Sequence, residues 1–345
     1  KFKAVNFIEF MKEANNIIKD IKNNKIAPIY FLSGEETFYI DLISKTIEEE
    51  VLSEEEKGFN QNILYGNDVD VSTIISMAKQ FPMGAERQVV IVKEAQHLSR
   101  TIEQFEPYFL QPQPSTVLVI NYKGKKVDKR TKFFNVIKKN SVFLEASKIY
   151  DNQLPQWIET TAKELGMNID NKSKFLLAEF LGNDLGRVYN ELMKLKVVVK
   201  NAEITPEIIE QNIGISKDFN NFELRKAIET KNAAKAFQIS KYFSENPKDN
   251  PLVVTLSILY STFSQIIAYH TLADKSQTNV SKELGVHPFF VGDVITAAHN
   301  YPLKKATRII SLLRETDVKS KGVGVSGNVT DGELLNELIF KILNF

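Results

Sequence analysis

The stretch "SGEETFYI" (residues 33–40) has the setting of a phosphate-binding loop, because an apolar run precedes it and an amphipathic run follows it. Such a loop needs glycines that let backbone amides face phosphate, a lysine that neutralises charge and a hydroxyl that holds magnesium. Here Gly34 and Thr37 enclose Glu35 and Glu36, with no second glycine and no lysine. Carboxylates at a helix start suit the helix dipole and repel phosphate. We therefore predict a degenerate phosphate loop at these four positions, which binds no nucleotide.

A second stretch, "VVIVKEAQHL" (89–98), is typical of a strand that ends at the magnesium site of an ATPase. In that site, called Walker B, an aspartate holds the metal and a glutamate polarises the attacking water. In this chain Lys93 stands at the aspartate position and leaves Glu94 alone. Because a lysine cannot ligate a cation, this pattern predicts a degenerate Walker B site and a second, independent loss of hydrolysis.

The turn at "FPMG" (81–84) places two bulky apolar residues between a helix and a buried strand. Pro82 and Gly84 keep the turn out of the helix, while Phe81 and Met83 occupy positions that are normally polar. One interpretation is that both side chains fold back onto the sheet as core. The other is that they form an exposed hydrophobic plug for a partner's pocket, where aromatic and methionine side chains bind well.

Residues 121–140 carry eight bases against the single acid Asp128. This run is either a solvated surface loop or a contact for phosphate or an acidic partner. The residues that could make a DNA or partner contact are Lys123, Lys125, Lys126, Lys129 and Arg130.

The absence of cysteine, the spacing of the histidines and the absence of a nucleophile motif exclude several kinds of catalytic and metal sites. The chain has no cysteine, so it can form neither a disulfide framework nor a thiolate metal site. Its four histidines lack the spacing of a zinc site, and no GxSxG nucleophile motif is present. We therefore expect no catalytic site, no metal and no cofactor.

Length and charge set further limits. A chain of 345 residues is expected to form two or three domains. A net charge of +1 argues against a protein that coats nucleic acid by bulk charge. We find no run of about 18 apolar residues and no secretory signal, so a cytoplasmic protein is expected. A first residue other than Met suggests that residues before Lys1 were removed.

The elements that position these motifs alternate up to about residue 146. Continuous apolar runs such as VVIV and TVLVI are typical of strands buried on both faces. Strands separated by helices indicate a mainly parallel, three-layer α/β domain. The predicted strands are 29–32, 62–65, 88–92, 116–121 and 141–145, and the helices between them include 37–51 and 70–80.

Beyond residue 146 the sequence reads as helical. We predict three domains: an α/β domain over 1–146, a small helical lid over 147–215 and a helical collar over 216–345. Apolar stripes mark two long collar helices. The first stripe is Leu252, Leu256, Leu259, Phe263 and Ile267, and the second is Leu334, Leu338, Ile342 and Phe345.

In several stretches and in their order, the chain resembles the delta subunit family of bacterial DNA polymerase III. The opening strand, turn and helix is "PIYFLSGEETFYIDLISKTI", and the turn with its following strand is "FPMGAERQVVIVKEAQHL". The lid stretches are "LPQWIETTAKELGMNID" and "LGNDLGRVYNELMKL", of which the GNDL…NEL pattern is fairly specific. "FELRKAIETKNAAKAFQISKYF" and "LLRETDVKSKG" are similar to the collar. The resemblance spans nearly the whole chain.

The resemblance implies an ATPase-inactive AAA+ module in the clamp loader of the DNA polymerase holoenzyme, a nucleotidyltransferase complex that replicates DNA. The implied partners are the sliding clamp, the gamma/tau motor subunits, the delta-prime subunit and, through the assembled complex, primer–template DNA. The implied clamp contact falls on Phe81, Pro82, Met83 and Gly84. The family often has two adjacent bulky apolar residues, which here would be Met83 and Gly84. Because Gly84 cannot fill a pocket, either Phe81 replaces it or Met83 acts alone.

Two alternatives remain open from the residues. One is an active AAA+ ATPase of related fold. The other is a DNA-binding regulator that uses the helix-turn-helix pattern at 279–300, although its second helix offers Phe289, Phe290 and Val294 where base-reading polar residues are expected.

Overall fold

The computed structural model describes residues 2–199, 203–324 and 329–344. The chain divides into two compact units, Lys1–Ile149 and Tyr150–Phe345. The first boundary therefore lies three residues beyond the predicted one at 146. The helices predicted as lid and collar belong to one compact unit by their contacts, and their division into two domains stays a prediction.

The first unit consists of a sheet and six α-helices within its described part. The strands are β1 (Ile29–Gly34), β2 (Gln61–Tyr65), β3 (Gln88–Lys93), β4 (Thr116–Lys123) and β5 (Val142–Ala146). The helices are α1 (Phe2–Lys22), α2 (Thr37–Glu50), α3 (Glu54–Asn60), α4 (Val71–Ala78), α5 (Glu106–Leu110) and α6 (Lys132–Asn140).

The sheet is parallel throughout, with the strand order β2-β3-β4-β1-β5. Phe31 lies opposite Ile120 on one side and Phe143 on the other. It belongs to a core that α4, α5 and α6 cover. On the other face of the sheet, Asn121 Nδ2 donates to Ser44 Oγ of α2 at 2.9 Å. Helices on both faces confirm the predicted three-layer α/β class and explain why the central strands are apolar without alternation.

The second unit is almost entirely helical. Its helices are α7 (Leu154–Glu164), α8 (Asn171–Leu181), α9 (Leu185–Val198), α10 (Pro206–Ile213), α11 (Asn221–Glu229), α12 (Ala233–Glu245), α13 (Leu252–Thr271), α14 (Gln277–Leu284), α15 (Val291–Asn300), α16 (Leu303–Ser320) and α17 (Asp331–Leu343). Two short strands, β6 (Asn168–Ile169) and β7 (Glu203–Ile204), pair in parallel. The sequence did not predict these strands, because two residues carry no periodic signal.

The core of this unit lies among α11, α12, α13, α15, α16 and α17. Leu256 and Phe263 of α13 and Leu338 of α17 are buried in it, as their stripes predict, while Phe345 lies outside the described residues. Among the described helices, α13 alone has the length and composition to cross a membrane. Its buried stripe belongs to the helical core, so we assign it to packing inside the unit.

Candidate functional site

Two residues of the predicted phosphate loop, Gly34 and Glu36, make contacts inside the unit. Gly34 has φ +136°, and a Cβ there would lie 2.1 Å from the Ala146 carbonyl oxygen at the end of β5. That oxygen also accepts the Glu36 backbone N–H at 3.2 Å. The Glu36 side chain caps α2 by accepting from Phe38 N at 3.2 Å, and Glu35 and Thr37 are exposed. The glycine is therefore required by close strand packing, and a carboxylate occupies the start of the helix.

The predicted Walker B residues also have partners within the unit. Lys93 Nζ lies 3.7 Å from Glu48 Oε2 of α2. Glu94 has a left-handed backbone, with φ 54°, and its Oε2 lies 3.7 Å from His97 Nε2. The end of β3 thus presents a paired ammonium where a metal ligand would stand. In the described parts of the chain, no three His, Asp or Glu residues form a group that could hold a metal ion.

The turn at residues 81–84 presents its bulky side chains to solvent. Phe81 is 79% exposed and Met83 is 69% exposed, while Pro82 is half-buried. Gly84 has φ +64° and open space around its Cα. The interpretation in which Phe81 and Met83 fold back onto the sheet as core is therefore wrong.

A buried amide side chain fixes the backbone of this turn. Asn60, the last residue of α3, is 1% exposed. Its Oδ1 accepts from Met83 N at 2.7 Å, and its Nδ2 donates to the Met83 carbonyl at 3.0 Å and to the Glu56 carbonyl at 3.2 Å. Because both backbone groups of Met83 are held from inside, the Met83 side chain is directed outward in a defined position. Sequence reasoning missed Asn60, since nothing local connects it to a turn 23 positions later.

Buried polar groups also hold the base of the turn. The Ala78 carbonyl at the end of α4 accepts from Thr116 Oγ1 at 2.7 Å and from the Tyr108 hydroxyl at 3.2 Å. Gln88 at the start of β3 donates through Nε2 to the Gln80 carbonyl and to Thr116 Oγ1. Both ends of the segment from α4 to β3 are therefore anchored, and the exposed apolar side chains stand on a rigid support.

The candidate basic residues are mostly paired with carboxylates. Four of the five make ion pairs: Lys123 with Asp41 at 2.6 Å, Lys126 and Lys129 with Glu145 at 3.7 and 2.6 Å, and Arg130 with Asp128 at 2.7 Å. The hydrogen bonds from Arg130 lower the pKa of Asp128 to about 2. Lys125 is exposed and makes no ion pair with any described residue. A DNA or partner contact at this stretch stays a prediction.

The helical unit contains a cleft with buried charges that the sequence did not reveal. Its volume is about 510 Å³. The Arg225 guanidinium lies 5.2 Å from the Phe222 ring and 5.1 Å from the Phe290 ring, and its Nε lies 3.5 Å from Glu229 Oε1. Glu179 Oε1 is buried without a hydrogen-bond partner among the described residues. Burial raises the pKa of Glu179 and of Glu229 to about 7, although Arg225 opposes both shifts.

The helix-turn-helix pattern at 279–300 is helical, and apolar residues of its second helix are buried in the unit. Val291 and Val294 of α15 are buried, and Phe290 packs on Phe175 of α8 with ring centroids 4.3 Å apart. Phe289 is exposed over half its surface. Helix α15 contains no lysine or arginine, the side chains that most often read guanine.

Comparisons with known proteins cover most of the chain. A family model described as DNA polymerase III, delta subunit, matches residues 30–147, and one for the C-terminal domain of that subunit matches residues 218–341. A model described as a middle domain matches residues 151–211 between them. The two delta-subunit models therefore match parts of both compact units and together span well over half of the chain.

Individual relatives agree with these matches. DNA polymerase III subunit delta of Bacillus subtilis (strain 168) is 24% identical over 318 residues, which are 89% of this chain and 91% of the relative. A probable DNA polymerase III subunit delta of Mycoplasma genitalium is 25% identical over 166 residues, 48% of this chain and 54% of that protein. The structure of the Bacillus subtilis DNA clamp loader delta protein superposes with a TM-score of 0.62 at 23% identity, covering 96% of this chain and 100% of that chain. At that identity the superposition shows a shared fold.

Proposed function

Because the chain belongs to the DNA polymerase III delta subunit family, we propose that it binds the ring-shaped sliding clamp through the turn at 81–84 and stabilises the opened ring. The observation that carries this proposal is the exposure of Phe81 and Met83 on a turn whose backbone is held rigidly. Large apolar side chains that stay in water on a rigid support are typical of protein-binding surfaces.

The energetics suit this role. Opening a ring means breaking one protein interface, and a binder can favour the open ring only through a higher affinity for that state. Burial of one Phe or Met side chain in a pocket is worth about 1.5–3 kcal/mol. Two such anchors supply a few kcal/mol, of which the part that is gained only with the open ring biases the equilibrium, and a turn fixed before binding loses little conformational entropy.

The remaining parts of the proposal concern the assembly. We assign no catalysis to this chain, and ATP binding and hydrolysis fall to the gamma/tau motor subunits of the loader. The C-terminal helices, with the delta-prime subunit and the motor subunits, form the collar of the cytoplasmic complex. Primer–template DNA reaches the chain through that complex, and the clamp contact does not depend on the paired basic residues at 123–130.

The two alternatives have less support. An active ATPase would need a phosphate loop free of the Glu36 carboxylate and a metal ligand at Lys93. A DNA-binding regulator would need a basic α15. Sequence-selective binding of duplex DNA that is lost when residues 279–300 are altered would favour the regulator.

The clamp contact is tested with Phe81→Ser and Met83→Ser in the full chain. Each substitution removes an apolar anchor, and we expect each to weaken clamp binding about tenfold, which corresponds to about 1.4 kcal/mol. Thermal stability should be unchanged because both side chains are exposed. The measurement is surface plasmon resonance with the purified sliding clamp of the same organism.

Tyr65→Ser is the matched control for these variants. Tyr65 is 45% exposed and pairs with Lys93 at the far ends of β2 and β3, whereas the turn precedes the near end of β3. A double Phe81/Met83 variant that is folded and binds the clamp as tightly as the parent would show that the contact lies elsewhere.

A further inference from the structure

A third exposed apolar side chain belongs to the helix that contacts the turn. Phe59, the residue before Asn60 in α3, is 76% exposed. In the described part of the first unit, Phe81, Phe59 and Met83 are the three most exposed large apolar side chains. They come from two segments that are separated in sequence by more than twenty residues.

The hydrogen bonds of Asn60 join these two segments. Asn60 binds both the amide and the carbonyl of Met83, so the end of α3 lies directly against the turn. The helix itself is fixed at its start, where Ser53 and Glu56 form a capping box. Phe59 is therefore held one residue from the point at which α3 touches the turn.

We propose that Phe59 is a third apolar anchor of the clamp contact, beside Phe81 and Met83. This inference rests on the proposed function, since the occupant is the apolar surface of the clamp next to the pocket that takes the turn. Anchors that carry binding energy cluster at the centre of an interface, and an exposed aromatic side chain on the helix that holds the turn extends the apolar surface of such a cluster.

Charge on α3 favours a protein over nucleic acid as the occupant. Three consecutive acids, Glu54, Glu55 and Glu56, open the helix, and a single lysine, Lys57, follows them. Phosphate backbones bind surfaces that are rich in lysine and arginine, and an acidic helix repels them. The neighbouring surface therefore fits a folded protein with an apolar patch.

The test compares Phe59→Ser, Met83→Ser and the control Tyr65→Ser, each in the full chain, for binding to the purified clamp. We expect Phe59→Ser to raise the Kd about tenfold and Tyr65→Ser to leave it unchanged. If Met83→Ser weakens binding and Phe59→Ser does not, the third anchor is wrong and the proposed function stands. If neither variant weakens binding, the placement of the clamp contact on this surface fails as a whole.

Two further measurements distinguish clamp contact from a folding defect and from self-association of the chain. Phe59→Trp keeps an aromatic side chain and adds a second tryptophan. Its fluorescence emission, after subtraction of the emission of the parent under the same conditions, should shift to the blue when the clamp is added. An unshifted emission with bound clamp would overturn the proposal. Concentration-dependent self-association of the parent that Phe59→Ser abolishes, with clamp binding intact, would instead assign Phe59 to contact with a second copy.

Discussion

At the scale of single residues, the direction of Met83 depends on the amide of Asn60. Replacing Asn60 by Ala removes three hydrogen bonds and leaves the amide and carbonyl of Met83 without their partner. Lost partners of buried polar groups cost about 1–3 kcal/mol. We expect Asn60→Ala to destabilise the chain by that order and to weaken clamp binding about threefold to tenfold, because the turn must then be ordered on binding.

Hydrogen exchange distinguishes this positioning role from a general loss of stability. The Met83 amide should exchange much faster in Asn60→Ala than in the parent, while amides of β4 keep their protection. Asn67→Ala is the matched control, since Asn67 is exposed. Clamp binding unchanged by Asn60→Ala would mean that the turn needs no prior ordering.

The candidate site could be predicted only in part at this scale. Phe81 and Met83 stand out in the sequence because bulky apolar residues are unusual in a turn made by proline and glycine. Asn60 and Phe59 do not stand out, since their role depends on a contact 23 positions away and on which side of α3 faces solvent. Local patterns contain neither kind of information.

At the scale of elements, β1, its turn and α2 form the strand, turn and helix that the sequence predicts, and Gly34 and Glu36 make packing and capping contacts there. The strands of the sheet were predicted to within two residues at each end, because strands buried on both faces leave long apolar runs. The order β2-β3-β4-β1-β5 could not be predicted, since each parallel crossover allows several neighbours. The ion pair of Lys93 with Glu48 likewise depends on how α2 lies against β3.

From the start of α2 and the end of β3, we predict that the isolated chain does not bind nucleotide. In isothermal titration calorimetry with magnesium and ATP, we expect no heat of binding at micromolar to millimolar nucleotide, because Glu36 places a carboxylate at the start of α2 and Lys93 places an ammonium at the end of β3. An ATP-binding clamp-loader motor subunit serves as the positive control. Micromolar affinity for ATP would contradict this prediction and favour the alternative function, an active AAA+ ATPase.

At the scale of the whole molecule, the helical unit buries charge in the cleft between its predicted lid and collar parts. Burial is the main cause of the raised pKa of Glu229; Asp293 and Glu179 add to it, and Arg225 and Lys226 oppose it. A carboxyl whose pKa is higher in the folded chain than its ordinary value of 4.5 favours folding most when it is protonated in both states. Its contribution is present below pH 4.5 and is lost as the pH rises through about 7.

Glu229→Gln should therefore change how the stability of this unit depends on pH. The free energy of unfolding of the variant minus that of the parent should be larger at pH 8 than at pH 5 by about 1–3 kcal/mol, because the variant no longer places a charge in the cleft at high pH. At pH 5 Glu229 is protonated and makes no ion pair, and at pH 8 the attraction of Arg225 is already included in the pKa of about 7, so the difference keeps its sign. Urea unfolding, followed by the fluorescence of Trp157, measures this difference in free energy, since the single tryptophan of the chain is buried in α7 of the same unit.

Glu283→Gln, which changes an exposed glutamate of α14, is the control and should leave the pH dependence unchanged. An identical pH dependence in Glu229→Gln and the parent would show that this carboxyl is already ionised, and paired with Arg225, across the whole range.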